Sequence, residues 1–339
     1  MSLRHTLSYQ ADSKEEYDRK PMIESRCHKN NQTAHARILV RNMLLSLLVL
    51  MFVQIFGCGS GTKSIFDTVK EGDTERLRKM LDKDPSIVNA PYKESRYRGR
   101  SPLHFATTGE VVEILIDAGA DVMARETVGL TPLHTTTTGE AAQALIDAGA
   151  DVMAENPKGL TPLHTAENAE VAEVLIDNGA DVNYVKIPEW YGRSGSSNPP
   201  KETPLYWSIL GNRADVVRVL LEYGADPLQP LNKERTLLHH AARYSNNGEI
   251  IDHLLEYLEV DSMDEYSATP LHLAAVHNKP KAAEALIAAG ADIYATLEAG
   301  VTITEGLGRS KFYAGNATPL IVARTDEMRD LLKEYGATE

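Results

Sequence analysis

The chain is poor in the residues from which most chemistry is built. It has two cysteines in 339 residues, Cys27 and Cys58, and no paired-cysteine motif for a metal or redox centre. No Gly-x-Ser-x-Gly turn and no His-Glu-x-x-His helix occurs, so the most readable hydrolase signatures are missing and the sequence assigns no catalytic residue, cofactor or metal. Positive charge is also short. Lys and Arg number 35 against 48 Asp and Glu, a net charge of −13. Eight Lys and Arg stand against five Asp and Glu in residues 1 to 58, so the remainder carries −16. Such acidity argues against nucleic acid or anionic lipid as a partner of the main body. One long apolar run is present, Met43 to Phe56, and it falls short of the ~20 residues a spanning helix needs.

What is present is a refrain. Variants of Thr-Pro-Leu-His begin at Ser101, Thr131, Thr161, Thr203, Thr236, Thr269 and Thr318. Five of these segments close on Gly-Ala-Asp, at Gly119, Gly149, Gly179, Gly224 and Gly290. Thr or Ser followed by Pro reads as a helix start, because the hydroxyl accepts from an orphan N–H and Pro has no donor to waste. A second, amphipathic stretch follows, such as Val111 to Ile116. Gly then stops it in the left-handed conformation. One such unit cannot bury its apolar stripe alone, so the units must stack into a solenoid.

Word, period and closing Gly from Ser101 to the C-terminus resemble the ankyrin repeat family. That resemblance implies an all-α repeat solenoid of helix pairs with short β-hairpin fingers, whose concave face binds other proteins. About eight units are expected over 64–339, with 64–100 as N-terminal cap and 318–339 as C-terminal cap; both ends are polar, as an array requires. His104, His134, His164, His239 and His272 occupy the same slot in five different units, with Tyr206 and Ile321 in that slot elsewhere. Stacking sets them in a row one repeat apart, which suits a hydrogen bond to the neighbouring repeat and not a metal cluster.

Starts are separated by 30, 30, 42, 33, 33 and 49 residues. In the units at 101, 131, 161 and 318 the loss falls between the helices, and a shallower groove is expected there. The long spacings place insertions in the fingers at 184–202 and 294–317. The first holds Trp190 and Tyr191. The second alternates Val301-Thr302-Ile303-Thr304, turns at Gly306-Leu307-Gly308 and returns through Phe312 and Tyr313, a pattern that fits an extended hairpin. Insertions on one face of an array either mark its binding side or are plain loops. Lys93, Arg96, Arg98 and Arg100 surround Tyr97 in the first finger, where two readings stand: a contact for an acidic partner or headgroup, and a solvated finger.

Residues 1–42 read as a poorly ordered leader and 43–57 as the hydrophobic core of a signal, preceded by Arg37 and Arg41. The ending Ile55-Phe56-Gly57-Cys58-Gly59-Ser60 resembles the lipobox of bacterial lipoproteins. That resemblance implies lipidation of Cys58, cleavage before it and a tether over 58–63; Phe56 is bulkier than the pattern usually carries. Cys27 would leave with the leader, so no disulfide is expected. An uncleaved signal-anchor is the alternative, and a bilayer is implied in both. Gly57 to Ser64 nearly spells a phosphate-binding loop, but Thr62 replaces its second Gly and no strand precedes it, so no nucleotide is expected.

The sequence therefore predicts a membrane-anchored protein-binding module, lipid-anchored at the cell membrane or outer membrane and facing the periplasm or exterior. The alternatives are an inhibitory subunit of an envelope enzyme or toxin, and a cytosolic adaptor on an uncleaved anchor. Candidate contacts are Tyr97, Arg98, Trp190, Tyr191, Trp207, Tyr244, Phe312 and Tyr313, since aromatics and Arg dominate interface hot spots.

Overall fold

The computed structural model describes residues 63–94, 97–185, 202–228, 235–298, 301–305, 309–313 and 315–338. The repeats form one unit, Lys63–Glu339. Cys58, Trp190 and Tyr191, with the leader and the signal segment, lie outside the described residues. Among the described residues no helix is long and apolar enough to cross a membrane.

The refrain builds helix pairs. The inner row begins with a 3-10 turn Pro102–Phe105 and continues with helices Pro132–Thr135, Pro162–Thr165, Pro204–Leu210, Leu237–Tyr244, Pro270–Val276 and Pro319–Val322. Each packs on the next along the chain. The outer row is Gly109–Asp117, Gly139–Asp147, Ala169–Asp177, Ala214–Glu222, Gly248–Leu255, Pro280–Ala288 and Asp326–Glu334. Ahead of both lies the pair Ile65–Glu71 and Thr74–Lys83. Leu103, Leu133, Leu163, Leu205, Leu238, Leu271 and Leu320, the third residue of every refrain, are at most 3% exposed. Each such side chain contributes about 1.5–3 kcal/mol of burial. The outer row answers with Leu115, Leu145, Leu175, Leu220, Leu254, Leu286 and Leu332, all fully or almost fully buried. One continuous core results, shared between neighbours.

Local chemistry sets the helix ends. Thr108, Thr138 and Asn168 cap outer helices by accepting from Val111, Ala141 and Val171 N–H at 3.3, 3.3 and 3.0 Å. At the far end Gly119 has φ +88°, and Gly119 N and Ala120 N donate to Ile116 O and Leu115 O at 2.8 and 2.9 Å. These two bonds occupy carbonyls the helix leaves open. The short inner helices stop where Thr136 and Ala166 turn to extended backbone. Thr135 and Thr165 Oγ1 then donate to His104 and His134 carbonyls of the preceding unit, at 3.0 and 2.9 Å.

The ordinary fingers differ from the expected β-hairpins. They are tight turns without ladder strands: Glu126 N donates to Leu130 O, Asn156 N to Leu160 O and Asp264 N to Ala268 O, each at 3.0 Å. A five-residue loop leaves no room for a second rung. Strands are seen in the second insertion, where Val301–Glu305 pairs antiparallel with Arg309–Tyr313, Val301 opposite Tyr313 and Glu305 opposite Arg309.

Candidate protein-binding face

The recurring histidine slot of the refrain is a joint. In every case the His ring joins its own helix start to the next finger. Nδ1 lies 3.1–3.3 Å from the backbone N of Ser101, Thr131, Thr161, Thr236 and Thr269. Nε2 lies 2.9–3.1 Å from the carbonyls of Leu130, Leu160, Glu202, Ala268 and Ala317 in the following finger. A carbonyl only accepts and an amide N–H only donates, so the neutral tautomer with hydrogen on Nε2 is the one these partners select. Burial pushes the rings of His104, His164 and His272 down to about 4, and those of His134 and His239 downward as well. Both nitrogens are committed to protein groups, so the row is structural.

The inner helices and fingers then present a face whose character changes along the array. In the long units, Tyr206 meets His240 edge-on at 5.3 Å, and His240 meets Tyr244 at 5.8 Å. Arg243 lies 5.1 Å from the Tyr244 ring centre. Lys279 Nζ donates to Tyr244 O at 3.1 Å. Tyr244 is 46% exposed. Trp207 is half-buried, and among the described residues its Nε1 and His240 Nδ1 are buried without a hydrogen-bond partner. Burial, followed by Arg235 and Arg243, holds His240 at about 4, so it is neutral at pH 7.

The units at 101 and 131 hold a cavity at the N-terminal end of the face. This cavity, of about 260 Å³, opens beside the truncated turns, lined by Lys70, Tyr97, Arg100, His104, Phe105 and the threonines 107, 135 and 137. Tyr97 is no free finger residue: it packs edge-on against Phe105 at 5.8 Å, and Phe66 and Tyr92 complete the aromatic cluster. Arg98 is exposed, and its carbonyl accepts from Thr127 Oγ1 at 3.0 Å. Phe312 and Tyr313 fall on the second strand of the long finger. The structure thus separates the candidates: Tyr97 and Arg98 lie at the first finger, Trp207 and Tyr244 on the long inner helices.

Sequence reasoning missed Tyr206, His240, Lys70 and Phe105. Tyr206 was legible as the residue in the histidine slot, and His240 as the one after it. Lys70 was not, because it reaches the cavity from the helix Ile65–Glu71, which lacks the refrain.

A solenoid of stacked helix pairs with its fingers and inner helices on one face is the class of protein-interaction scaffold. Residues 109–186 and 227–296 match the family described as ankyrin repeats (3 copies), and 201–231 match the ankyrin repeat. Together these cover about half of the chain, and the chain belongs to the ankyrin repeat family. Its repeats are a protein–protein interaction module, of a kind that is typically non-catalytic. Over 78 residues the chain is 33% identical to E3 ubiquitin-protein ligase XBAT33 of Arabidopsis thaliana, 22% of this chain and 14% of that protein. Over 79 residues it is 37% identical to Inversin of Canis lupus familiaris, 23% of this chain and 7% of that protein. The matches thus span a small part of those relatives' length. The crystal structure of the human ASB11 ankyrin repeat domain superimposes with a TM-score of 0.51 at 21% identity, over 71% of this chain and 100% of that one. This likeness is one of fold.

Proposed function

We propose that this chain holds another protein on its concave face while Cys58 anchors it by lipid to a bacterial envelope membrane. The observation that carries the binding half is the run Tyr206–His240–Tyr244 across two inner helices, ending on a tyrosine that is 46% exposed. Beside it, Trp207 Nε1 and His240 Nδ1 are buried with no hydrogen-bond partner among the described residues. Leaving such a group unpaired costs about 1–3 kcal/mol. Natural chains retain that cost at functional places more readily than elsewhere. Aromatic groups with Arg243 beside them are the composition of an interface hot spot.

The anchoring half rests on the sequence: an apolar run over Met43 to Phe56 that ends at Gly57-Cys58-Gly59-Ser60. Two arms test the reading. Pull-downs from the native cells, comparing wild type with Trp207→Ala and Tyr244→Ala, are expected to lose the same protein from both variants; an unchanged set of partners overturns the binding half. Growth with a labelled fatty acid is expected to label the wild type and not Cys58→Ala. Label that survives this substitution, or none on the wild type, overturns the anchor.

A further inference from the structure

The cavity at the N-terminal end of the face is a charged site in an otherwise acidic molecule. Its floor is aromatic. Phe105 touches Phe66, Tyr92 and Tyr97 with ring centres 5.7, 5.4 and 5.8 Å away. Two cations stand over that floor: Lys70 Nζ is 4.4 Å from the Phe105 centre and 5.2 Å from that of Tyr92, and Arg100 Cζ is 4.7 Å from that of Tyr97. Among the described residues Lys70 makes no ion pair, and the hydroxyls of Thr107 and Thr137 make no hydrogen bond. Among the described residues no Asp or Glu lines the cavity.

The cavity exists because the first two inner helices stop after one turn. Ala106, Thr107 and Thr137, which line it, follow those stops in the chain. In the unit that starts at Thr203 the helix continues through Ser208 to Leu210. At the first two units the place beyond the stop is space faced by two cations and two open hydroxyls. A carboxylate is the group that complements this set, because Lys70 and each hydroxyl can donate to it and Arg100 adds positive charge beside them. The aromatic floor meanwhile accepts the methylene stem of an acidic side chain.

We infer that the cavity lined by Lys70, Arg100 and Phe105 is a specificity pocket for a single Asp or Glu side chain of the protein bound on the concave face. The inference rests on the concave-face reading above and names the partner's chemistry. Net charge sharpens it. With −13 on the whole chain, a polyanionic surface is repelled at long range, whereas one carboxylate entering a local cationic pocket is not. The pocket therefore selects an isolated acidic residue and rejects nucleic acid.

The test uses the full chain in detergent and a random 12-residue peptide display library. Enriched peptides are expected to share one Asp or Glu. Changing that residue to Asn or Gln is expected to weaken binding to the wild type by about tenfold or more, the scale of one charge-assisted hydrogen bond. The same change is expected to have little effect on binding to Lys70→Met, a substitution at an exposed position whose folding is checked beforehand by circular dichroism. Enrichment without an acidic residue, no enrichment at all, or an equal loss in both proteins overturns the pocket. A phosphoserine peptide that binds more tightly than its Glu counterpart, with that advantage lost in Lys70→Met, overturns the carboxylate assignment in favour of a phosphoryl group. Failure of the pocket is separable from failure of the binding face. Peptides that lack acid yet lose affinity for Tyr244→Ala keep the face and remove the pocket.

Discussion

Mild acid should unstitch this solenoid before it protonates the carboxylates. The perturbation is protonation of the joint histidines. In His104, His164 and His272 the Nδ1 atom accepts from the backbone N–H at its own helix start, and a second ring proton would point straight at that donor. Burial already holds these rings at about 4 against an ordinary 6.5. A folded-state value below the unfolded one means that the unfolded chain takes up the proton first. Stability is therefore full above about pH 6.5, falls as pH drops below it, and stops falling from this cause near pH 4. At pH 5 each of the three rings costs about 2 kcal/mol. Acting independently they remove about 6 kcal/mol, a large part of the 5–15 kcal/mol typical of a folded domain. His134 and His239 are shifted in the same direction and add to the loss. Guanidinium unfolding of residues 63–339 followed by circular dichroism should show midpoints falling steeply between about pH 7 and 5. The histidine resonances give a site-by-site check. A midpoint that does not move over this range, or folded-state titration of His272 near 6.5, refutes the reasoning.

Three further outcomes follow from particular contacts. A Cβ at Gly129 would lie 2.3 Å from Pro157 Cδ, whereas one at Gly119 meets nothing within 4 Å, although both have φ above +80°. Gly119→Ala should cost about 1 kcal/mol of backbone strain, and Gly129→Ala about 1–2 kcal/mol more, in chemical unfolding. Asp264, fully buried, accepts from Tyr266 N and Ala268 N through Oδ1 and from Arg235 Nε through Oδ2 at 2.8 Å. Asp264→Ala should destabilise by about 3 kcal/mol or more, since it strands a mostly buried Arg. Asp264→Asn should cost less, because Asn156 Oδ1 makes the two equivalent turn bonds to Lys158 N and Leu160 N. Tyr244→Ala should leave the unfolding free energy within about 0.5 kcal/mol of wild type while weakening partner capture, as an exposed contact residue does.

Much of the fold was legible because the repeat repeats its physics. Thr-Pro marks a helix start, the following Leu is buried in every unit, and the closing Gly sits at φ near +90°. The joint role of the histidines followed from their one-per-repeat spacing. The pattern Val301-Thr302-Ile303-Thr304 alternates with the period of a strand, and those residues pair with 310–313. The binding face was less legible, because a surface is assembled from residues far apart in sequence. Lys70, on a helix ahead of the first refrain, and Thr137, in the second refrain unit, line one cavity. Tyr97 looked like a free finger aromatic because nothing local shows that Phe105 lies beneath it. Counting residues finds the short helices, but not the cavity beside the first two of them, which only the packing of separate units reveals.

The central claim is that the concave face, and not the outer row, holds another protein. Two tyrosines of nearly equal exposure allow a direct comparison: Tyr244, 46% exposed on an inner helix, and Tyr257, 47% exposed just after an outer one. A photo-crosslinking amino acid placed at each position in the native cells reports what lies against each face. The account predicts one defined adduct from position 244, diminished by Trp207→Ala, and none of that adduct from position 257. The same adduct from both positions, or from 257 alone, contradicts it.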